Sequence, residues 1–343
     1  LDMPCLHSYY RIVSVTLHQE GGNNELFGSW LQSAAGSAYQ SDAHIQVASI
    51  LWRDIPVSQP ASILDLKEQR FPLNLKPVMA DIRQLWDASQ RTHWDPNTDI
   101  PWDSFDAAKY SKEQLEAARL YWSRRAWTEY TGTAEFCALQ MRLCLEKDRE
   151  IDARIQMSME QLEESRHCIA SYLFAEKLGG YIPEPPQPLP KSINHRGIRD
   201  KAFDLSISFE AIAIAHICIG ETIAAHIFEA RYRHTTDPVA KELVMRIMRD
   251  EQRHIAFGWR YMAHKVKNFT PELIKDMERV AIDVVENSEL KGFHCIWLHP
   301  AEETKFLIES NNICAEAGLG AGTPEPGRMG SARLKPVVSG RPV

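Results

Sequence analysis

Three patterns are missing from the 343-residue chain, and each absence closes off a class of function. The seven cysteines fall at positions 5, 137, 144, 168, 218, 295 and 314, with no CxxC pair and no regular spacing. Zinc ribbons, iron–sulfur centres and disulfide frameworks all need such spacing, so free thiols in a reducing cytosol are expected. A basic stripe is also missing: the formal net charge is -7 and the pI about 6.0, which argues against nucleic acid or another polyanion as partner. The short cluster Arg231, Arg233, His234 suits a helix C-terminus, where cations offset the dipole. The N-terminal residues lack the basic-then-apolar pattern of a secretion signal, and a cytoplasmic protein is expected. One stretch, residues 207–228, has the length of a membrane span, but Glu210, His216, Glu221 and His226 interrupt it. A buried helix of a soluble bundle is expected there, without membrane contact.

What is present is enough for a large core, with 44% apolar and 25% charged residues. Residues 1–110 read as a mixed N-terminal extension. In it "YYRIVSVTL" and "HIQVASILW" resemble short strands, a helix pattern runs from Val78 to about Gln90, and "HWDPNTDIPWDSF" forms a loop. That loop suits either a lid or an ordered arm clamped by buried Trp94 and Trp102. Residues 111–317 read as a helical domain. Ser111 heads an S-x-x-Q capping box before a helix reaching about Leu145. A second helix runs from about Arg149 to Leu178, where Gly179-Gly180 ends it. The Pro-rich "YIPEPPQPLPKSINHRGIRD" is a spacer, and a third helix spans about 201–233. Asp237 and Pro238 then start a fourth helix that continues to about Lys267. Thr270 opens a fifth by the same device, and a sixth is expected near 301–316. Residues 318–343, rich in Gly, Pro and Ser, should be a disordered tail. Two hairpins joined by one long crossover give the expected fold class: an all-α core, a ferritin-like four-helix bundle with extra C-terminal helices and the mixed N-terminal extension.

The second helix contains "EESRH", Glu163 to His167, and the fourth contains "DEQRH", Asp250 to His254. Among 13 histidines one chance ExxH is unremarkable. Two copies, each near the middle of a long helix and each flanked by the same acid and arginine, are not. The i, i+3 spacing sets Glu164 beside His167 and Glu251 beside His254 on one helix face, so each pair can ligate one ion. A dinuclear site needs one more carboxylate from each of the other two helices.

Hairpin geometry selects them. With the first turn near residue 147, Glu164 lies about 17 residues beyond it and Glu129 about 18 before it, level at about 1.5 Å per residue. Glu135 is about 12 before the turn, a mismatch of roughly 7 Å, and points about 120° away from Glu129. In the second hairpin Glu251 and Glu221 both lie about 15 residues from the turn. Glu210 is roughly 16 Å from Glu221 along the axis. His216 and His226 each stand about 140° round the helix from Glu221 and are expected to be hydrogen-bonded packing residues. Glu221 sits in "AHICIGETIAAHIF", apolar on almost every side, where an unpartnered carboxylate would be costly to bury; an arginine partner is the alternative to a metal. Four glutamates and two divalent cations make a neutral site with both imidazoles uncharged.

This duplicated [D/E]-E-x-R-H resembles the motif of the non-haem di-iron carboxylate oxygenases of the ferritin-like superfamily, over about residues 112–265. The resemblance implies two iron ions, or a manganese–iron pair, that activate O₂. It implies Glu129, Glu164 and His167 on one iron and Glu221, Glu251 and His254 on the other, with Glu164 and Glu251 as bridges. Glu163, Arg166, Asp250 and Arg253 match positions that orient the ligand histidines. Arylamine N-oxygenases are similar in length and outline but carry a further histidine one turn before the fourth-helix glutamate, where Ile247 stands here. The function expected is an O₂-dependent oxygenase or oxidase acting on a small organic substrate, with Thr128, Gly132 and Thr133 leaving it room. No Rossmann fingerprint or iron–sulfur pattern supplies electrons, so an external donor or reductase is expected, as is a homodimer. A ferroxidase or iron-handling protein with the same ligands, and a non-catalytic helical partner protein, are the alternatives.

Overall fold

The computed structural model describes residues 62–63, 72–146, 149–184, 197–286, 313 and 315–321, all within a unit spanning Gln59–Val343. Among these residues the chain is all-helical; the sole pairing of strand type is an isolated bridge between Ser62 and Asp204. The helices are α1 Ala80–Arg91, α2 Lys112–Leu145, α3 Ile151–Lys177, α4 Ile198–Phe203, α5 Phe209–Ala213, α6 Glu221–His234, α7 Pro238–Lys265 and α8 Pro271–Val284, with a π-helical segment, Ile214–Gly220, joining α5 to α6. The two expected N-terminal strands, most of the helix expected near 301–316 and the chain beyond residue 321 lie outside the described residues.

Helix ends follow the local chemistry. The Ser111 hydroxyl accepts from Gln114 N at 3.1 Å while Gln114 Oε1 accepts from Ser111 N at 3.0 Å, closing the capping box of α2. Helix α3 stops at Gly179 and Gly180, whose φ of 123° and 109° only glycine adopts without strain. Asp237 Oδ1 accepts from Val239 N and Ala240 N, both at 2.9 Å, ahead of Pro238 in α7, and Thr270 caps α8.

Side-chain ladders show both hairpins to be antiparallel. Between α2 and α3, Gln140 meets Ser158, Gln161 meets the Phe136 carbonyl and Cys168 meets the Ala126 carbonyl. Between α6 and α7, Lys241 meets the Tyr232 carbonyl and Trp259 meets Thr222. Helix α3 also packs on α7, and α1 lies across both. Its start is pinned where Asp152 Oδ2 accepts from Val78 N at 2.7 Å and Met79 N at 3.0 Å. The following loop is an ordered arm: Trp94 and Trp102 are both buried, in a core with Trp122, Phe174, Phe228 and Ile247.

Three expectations are corrected. The third helix is not continuous over 201–233: α4 ends at Phe203, and Ser208 caps a new start, its hydroxyl accepting from Ala211 N at 3.1 Å. The break is held by the buried Arg142 of α2, whose guanidinium donates to the carbonyls of Ala202, Asp204 and Ile207 at 2.9–3.2 Å. The apolar helix Phe209–His234 is long enough to cross a membrane, but 72% of its most apolar window is buried against the rest of the protein. Second, His226 is half-exposed beside Glu229 instead of packed, whereas His216 is buried. Third, the expected tail begins inside packed chain. Gly318 to Ala321 are buried, the Gly318 carbonyl accepts from Thr236 N and Asp237 N, and the Leu319 carbonyl accepts from Trp122 Nε1.

Helix α7 comes close to the π-helical segment at Gly258, where a Cβ would meet Cys218 Sγ and the carbonyl carbon and Cγ2 of Ile217 at 3.0 Å. Gly258→Ala should therefore lower stability by about 1–3 kcal/mol through overpacking, measured by urea denaturation. An unchanged midpoint would show that the two elements separate freely.

A buried carboxylate and histidine centre

The two copies of the motif face each other across the α3–α7 seam. Glu164, His167, Glu251 and His254 are all buried, and the two imidazole rings lie 6.2 Å apart. Glu129 from α2 and Glu221 from the start of α6 are buried too and complete the cluster. Two donor groups result, one of Glu129, Glu164 and His167 and one of Glu164, Glu221, Glu251 and His254, each with its donor atoms within 4.8 Å of one another. Ligands on opposite sides of a metal ion stand about 4 Å apart, so either group can hold an ion with small side-chain adjustments. All six residues named from the sequence as candidate ligands come together, and Glu164 belongs to both groups. The site was legible because helical rise alone sets the heights.

The imidazoles present their Nδ1 atoms to the cluster. His254 Nδ1 lies 3.3 Å from Glu164, 3.4 Å from Glu251 and 3.9 Å from Glu221, and His167 Nδ1 lies 3.8 Å from Glu164 and 3.7 Å from Glu251. Neither Nδ1 makes a hydrogen bond of normal geometry, nor does Glu251 Oε2, although all are buried. Buried polar atoms without partners are costly. Here they converge on one space.

The Nε2 atoms point the other way, and each is held by the acid of the opposite helix. His254 Nε2 pairs with Glu163 at 2.9 Å, and His167 Nε2 pairs with Asp250 at 3.2 Å. Arg253 donates to Glu163 Oε1 at 2.6 Å and also to Asp250, tying the two acids together. Arg166 lies at 3.8 Å from Glu163 and 3.9 Å from Asp250. The four flanking charges of the motif are thus buried braces, and each copy of the motif orients the histidine of the other. The arm adds a brace that the sequence did not reveal: Trp94 Nε1 donates to Asp250 Oδ2 at 2.8 Å, and its ring stacks on His167 at 6.5 Å between centroids. A contact spanning 156 residues leaves no local signal.

The electrostatics follow from crowding. Burial pushes Glu164 up, but His254, His167 and Arg125 outweigh it and hold the carboxyl at about 2. For Glu251 burial acts together with Glu164 and Glu221, and it is pushed up to about 7. Burial works against protonation of His254, yet Glu163, Glu164, Glu221 and Glu251 raise it well above the usual imidazole value. His167 is raised as well, chiefly by Asp250 against burial. Without a metal, protons on the imidazoles balance the carboxylates.

Other residues fall where the sequence did not point. Glu129 pairs with Arg125, an i, i+4 partner that spacing alone could have suggested. Glu135 joins neither donor group, in keeping with its height, but is buried beside the same cavity. Glu160 is fully buried, and burial raises its carboxyl well above the ordinary range. Glu210 pairs with Arg149, away from the centre. Ile247 is packed among apolar core residues. A cavity between α2 and α6 reaches the carboxylates; Thr128 and Gly132 line it, and Thr133 does not. A Cβ at Gly132 would lie 3.5 Å from Glu164 Oε2, so the glycine lets that carboxylate come close to α2.

No protein-family model matches the chain, and a search of curated proteins finds no match. The centre therefore has to be judged on its own geometry.

If the braces orient the metal-facing imidazoles, Asp250→Asn should weaken metal binding about 10–100-fold while leaving the helical circular-dichroism signal intact. Equilibrium dialysis against Mn(II) reads the change, and equal affinity would show that Asp250 only fills space.

Proposed function

We propose that the four long helical elements, α2, α3, the α5–α6 rod and α7, form a ferritin-like four-helix bundle around a di-iron centre, and that the protein uses O₂ to oxidise a small organic molecule. The observation that carries this reading is the pair of buried donor groups sharing Glu164, with the unpartnered Nδ1 atoms of His167 and His254 directed at them. The donor set of carboxylates with one imidazole in each group suits iron or manganese. Glu129, Glu164 and His167 would hold one ion, and Glu221, Glu251 and His254 the other, with Glu164 reaching both. When bound, reduced iron supplies electrons to O₂.

The chain's own residues do the rest. Glu163 and Asp250 hold the Nε2 atoms, leaving Nδ1 of each imidazole for the metal. The buried rings of Phe136 and Trp94 lie against His254 and His167 at the centre. The cavity gives a substrate direct approach to the carboxylates, and this favours oxidation of a guest molecule over storage of iron. Inserting one oxygen atom from O₂ into a C–H or N–H bond, with the other leaving as water, consumes two further electrons and two protons. A separate reductant would supply them.

Anaerobic Fe(II) titration should load two ions per chain. Glu164→Ala should lose both, Glu129→Ala and Glu221→Ala one each, all measured by elemental analysis after desalting. Fe(II)-loaded protein should consume O₂ faster than free Fe(II). Metal-free protein, or variants with unchanged metal content, would overturn the reading, and a many-subunit cage on size-exclusion chromatography would turn it toward iron storage.

A further inference from the structure

The α2–α3 hairpin is charged inside and uncharged outside. From Ala126 to Leu145 its acidic and basic residues are Glu129, Glu135 and Arg142, and from Ile155 to Ala175 they all fall in the run from Glu160 to His167; every one of them is buried. Every exposed side chain in the two stretches is uncharged. Turning the acids inward does not oblige the outer positions to lack charge. Helix α7 carries the second copy of the motif, yet it keeps Arg249 exposed and Lys241, Glu242, Arg246 and Arg260 half-buried.

The exposed positions form two rows. On α2 they are Tyr130, Ala134, Cys137, Met141 and Cys144. On α3 they are Ser158, Leu162, Ile169 and Tyr172, with the half-buried Ser165 completing the spacing. Cys137 meets Gln161 and Gln140 meets Ser158 across the hairpin, so the rows lie side by side. The antiparallel register set by these contacts puts Tyr130 level with Ile169 and Cys137 level with Leu162. Tyr130 is 75% exposed, and Leu162, Ile169 and Tyr172 are 45%, 42% and 41% exposed. A contiguous apolar face of this kind marks a surface that another molecule covers.

Both rows step by four and three residues in alternation, the heptad spacing with which helices interlock knobs into holes. We infer that this face packs against the same face of a second copy of the chain about a two-fold axis, so that two hairpins make a four-helix interface. A two-fold pairing needs a self-complementary surface, and an uncharged face meets its own copy without burying an unpaired charge. The size fits as well. The uncharged stretch of α3 from Ile155 to Ala175 is about 30 Å long, and two helices side by side are about 20 Å wide. That gives about 600 Å² on each chain and about 1,200 Å² for the pair, which reaches the range of stable interfaces. The pairing goes beyond the proposed oxidation and does not depend on what fills the centre.

The test is sedimentation equilibrium of the full chain over a concentration series, in which twice the chain mass is expected. Leu162→Glu and Ile169→Glu each bring a carboxylate into the interface twice, without a partner, and should weaken association at least about a hundred-fold. Both side chains are exposed in the single chain, so the helical circular-dichroism signal of the variants should be unchanged. Ile274→Glu, at a position on α8 that is 44% exposed, should leave the association intact. Alkylation of the exposed thiols of Cys137 and Cys144 should be slow in the wild-type dimer and faster in Leu162→Glu. A single-chain mass at every concentration, an assembly that persists in both glutamate variants, or equal thiol rates in wild type and Leu162→Glu would overturn the inference. A single chain that floats with neutral phospholipid vesicles would overturn it in favour of a membrane surface.

Discussion

Burying Glu129, Glu164, Glu221 and Glu251 together is the constraint around which the rest of the protein is arranged. Each carboxylate taken out of water costs several kcal/mol unless an opposite charge repays it, and four at one depth also repel one another. The helices must therefore deliver cations to the same place. In the metal-free protein the opposite charge comes from Arg125 and from the imidazoles of His167 and His254, whose affinity for a proton rises because the acids surround them. That arrangement is self-consistent but leaves both Nδ1 atoms without good hydrogen bonds. Two divalent ions would satisfy the same atoms with no proton held at all, so the cluster could hold metal as well as it forms a salt-bridge network.

Rigid support comes from reciprocity. Had each motif braced its own histidine, the two long helices could slide past each other without cost to the centre. Because Glu163 of α3 holds His254 of α7, and Asp250 of α7 holds His167 of α3, any sliding would break both pairs and the Arg253 bridge at once. The arm after α1 locks the same seam from outside through Trp94, and Arg253 also donates to Thr92 at 3.1 Å. The π-helical segment before Glu221 has a matching role on the other wall. Wider i→i+5 turns alter the angular register along the helix just before Glu221 reaches the centre, while Glu210, roughly 16 Å earlier along the axis, pairs with Arg149.

Much of this was legible in the sequence, for a physical reason. Helix limits such as Ser111, Gly179, Asp237 and Thr270 are set by bonds within a few residues, and a fixed rise per residue ranks carboxylates by height without knowledge of the fold. So Glu129 could be chosen over Glu135, and Glu221 over Glu210. What escaped was tertiary. The break at Asp204–Ser208 depends on Arg142, at least 60 residues earlier, satisfying carbonyls that a continuous helix would have paired itself. The π-helical turn has no compositional mark in an apolar run. Gly318–Ala321 read as tail because Gly is common in tails, yet at Gly320 a Cβ would meet Val244 at 2.8 Å and Trp122 at 3.1 Å. The glycine is there because the chain presses against the core.

The seams between the long elements are not equivalent, and that difference places the cavity. The α3–α7 seam carries the reciprocal braces and is covered by α1, and the two hairpin seams are closed by side-chain ladders. Between α2 and α6 the bridging contacts are instead guanidiniums laid on rings, Arg125 on Phe228 and Arg231 on Tyr121. Such stacks are broad and tolerate separation better than interdigitated aliphatic side chains, whose attraction falls off within about an ångström. The seam that stays open is therefore the one that needs positive charge to hold its walls, and the same charge faces the cavity. The cavity beside the carboxylates is a consequence of how α2 and α6 pack.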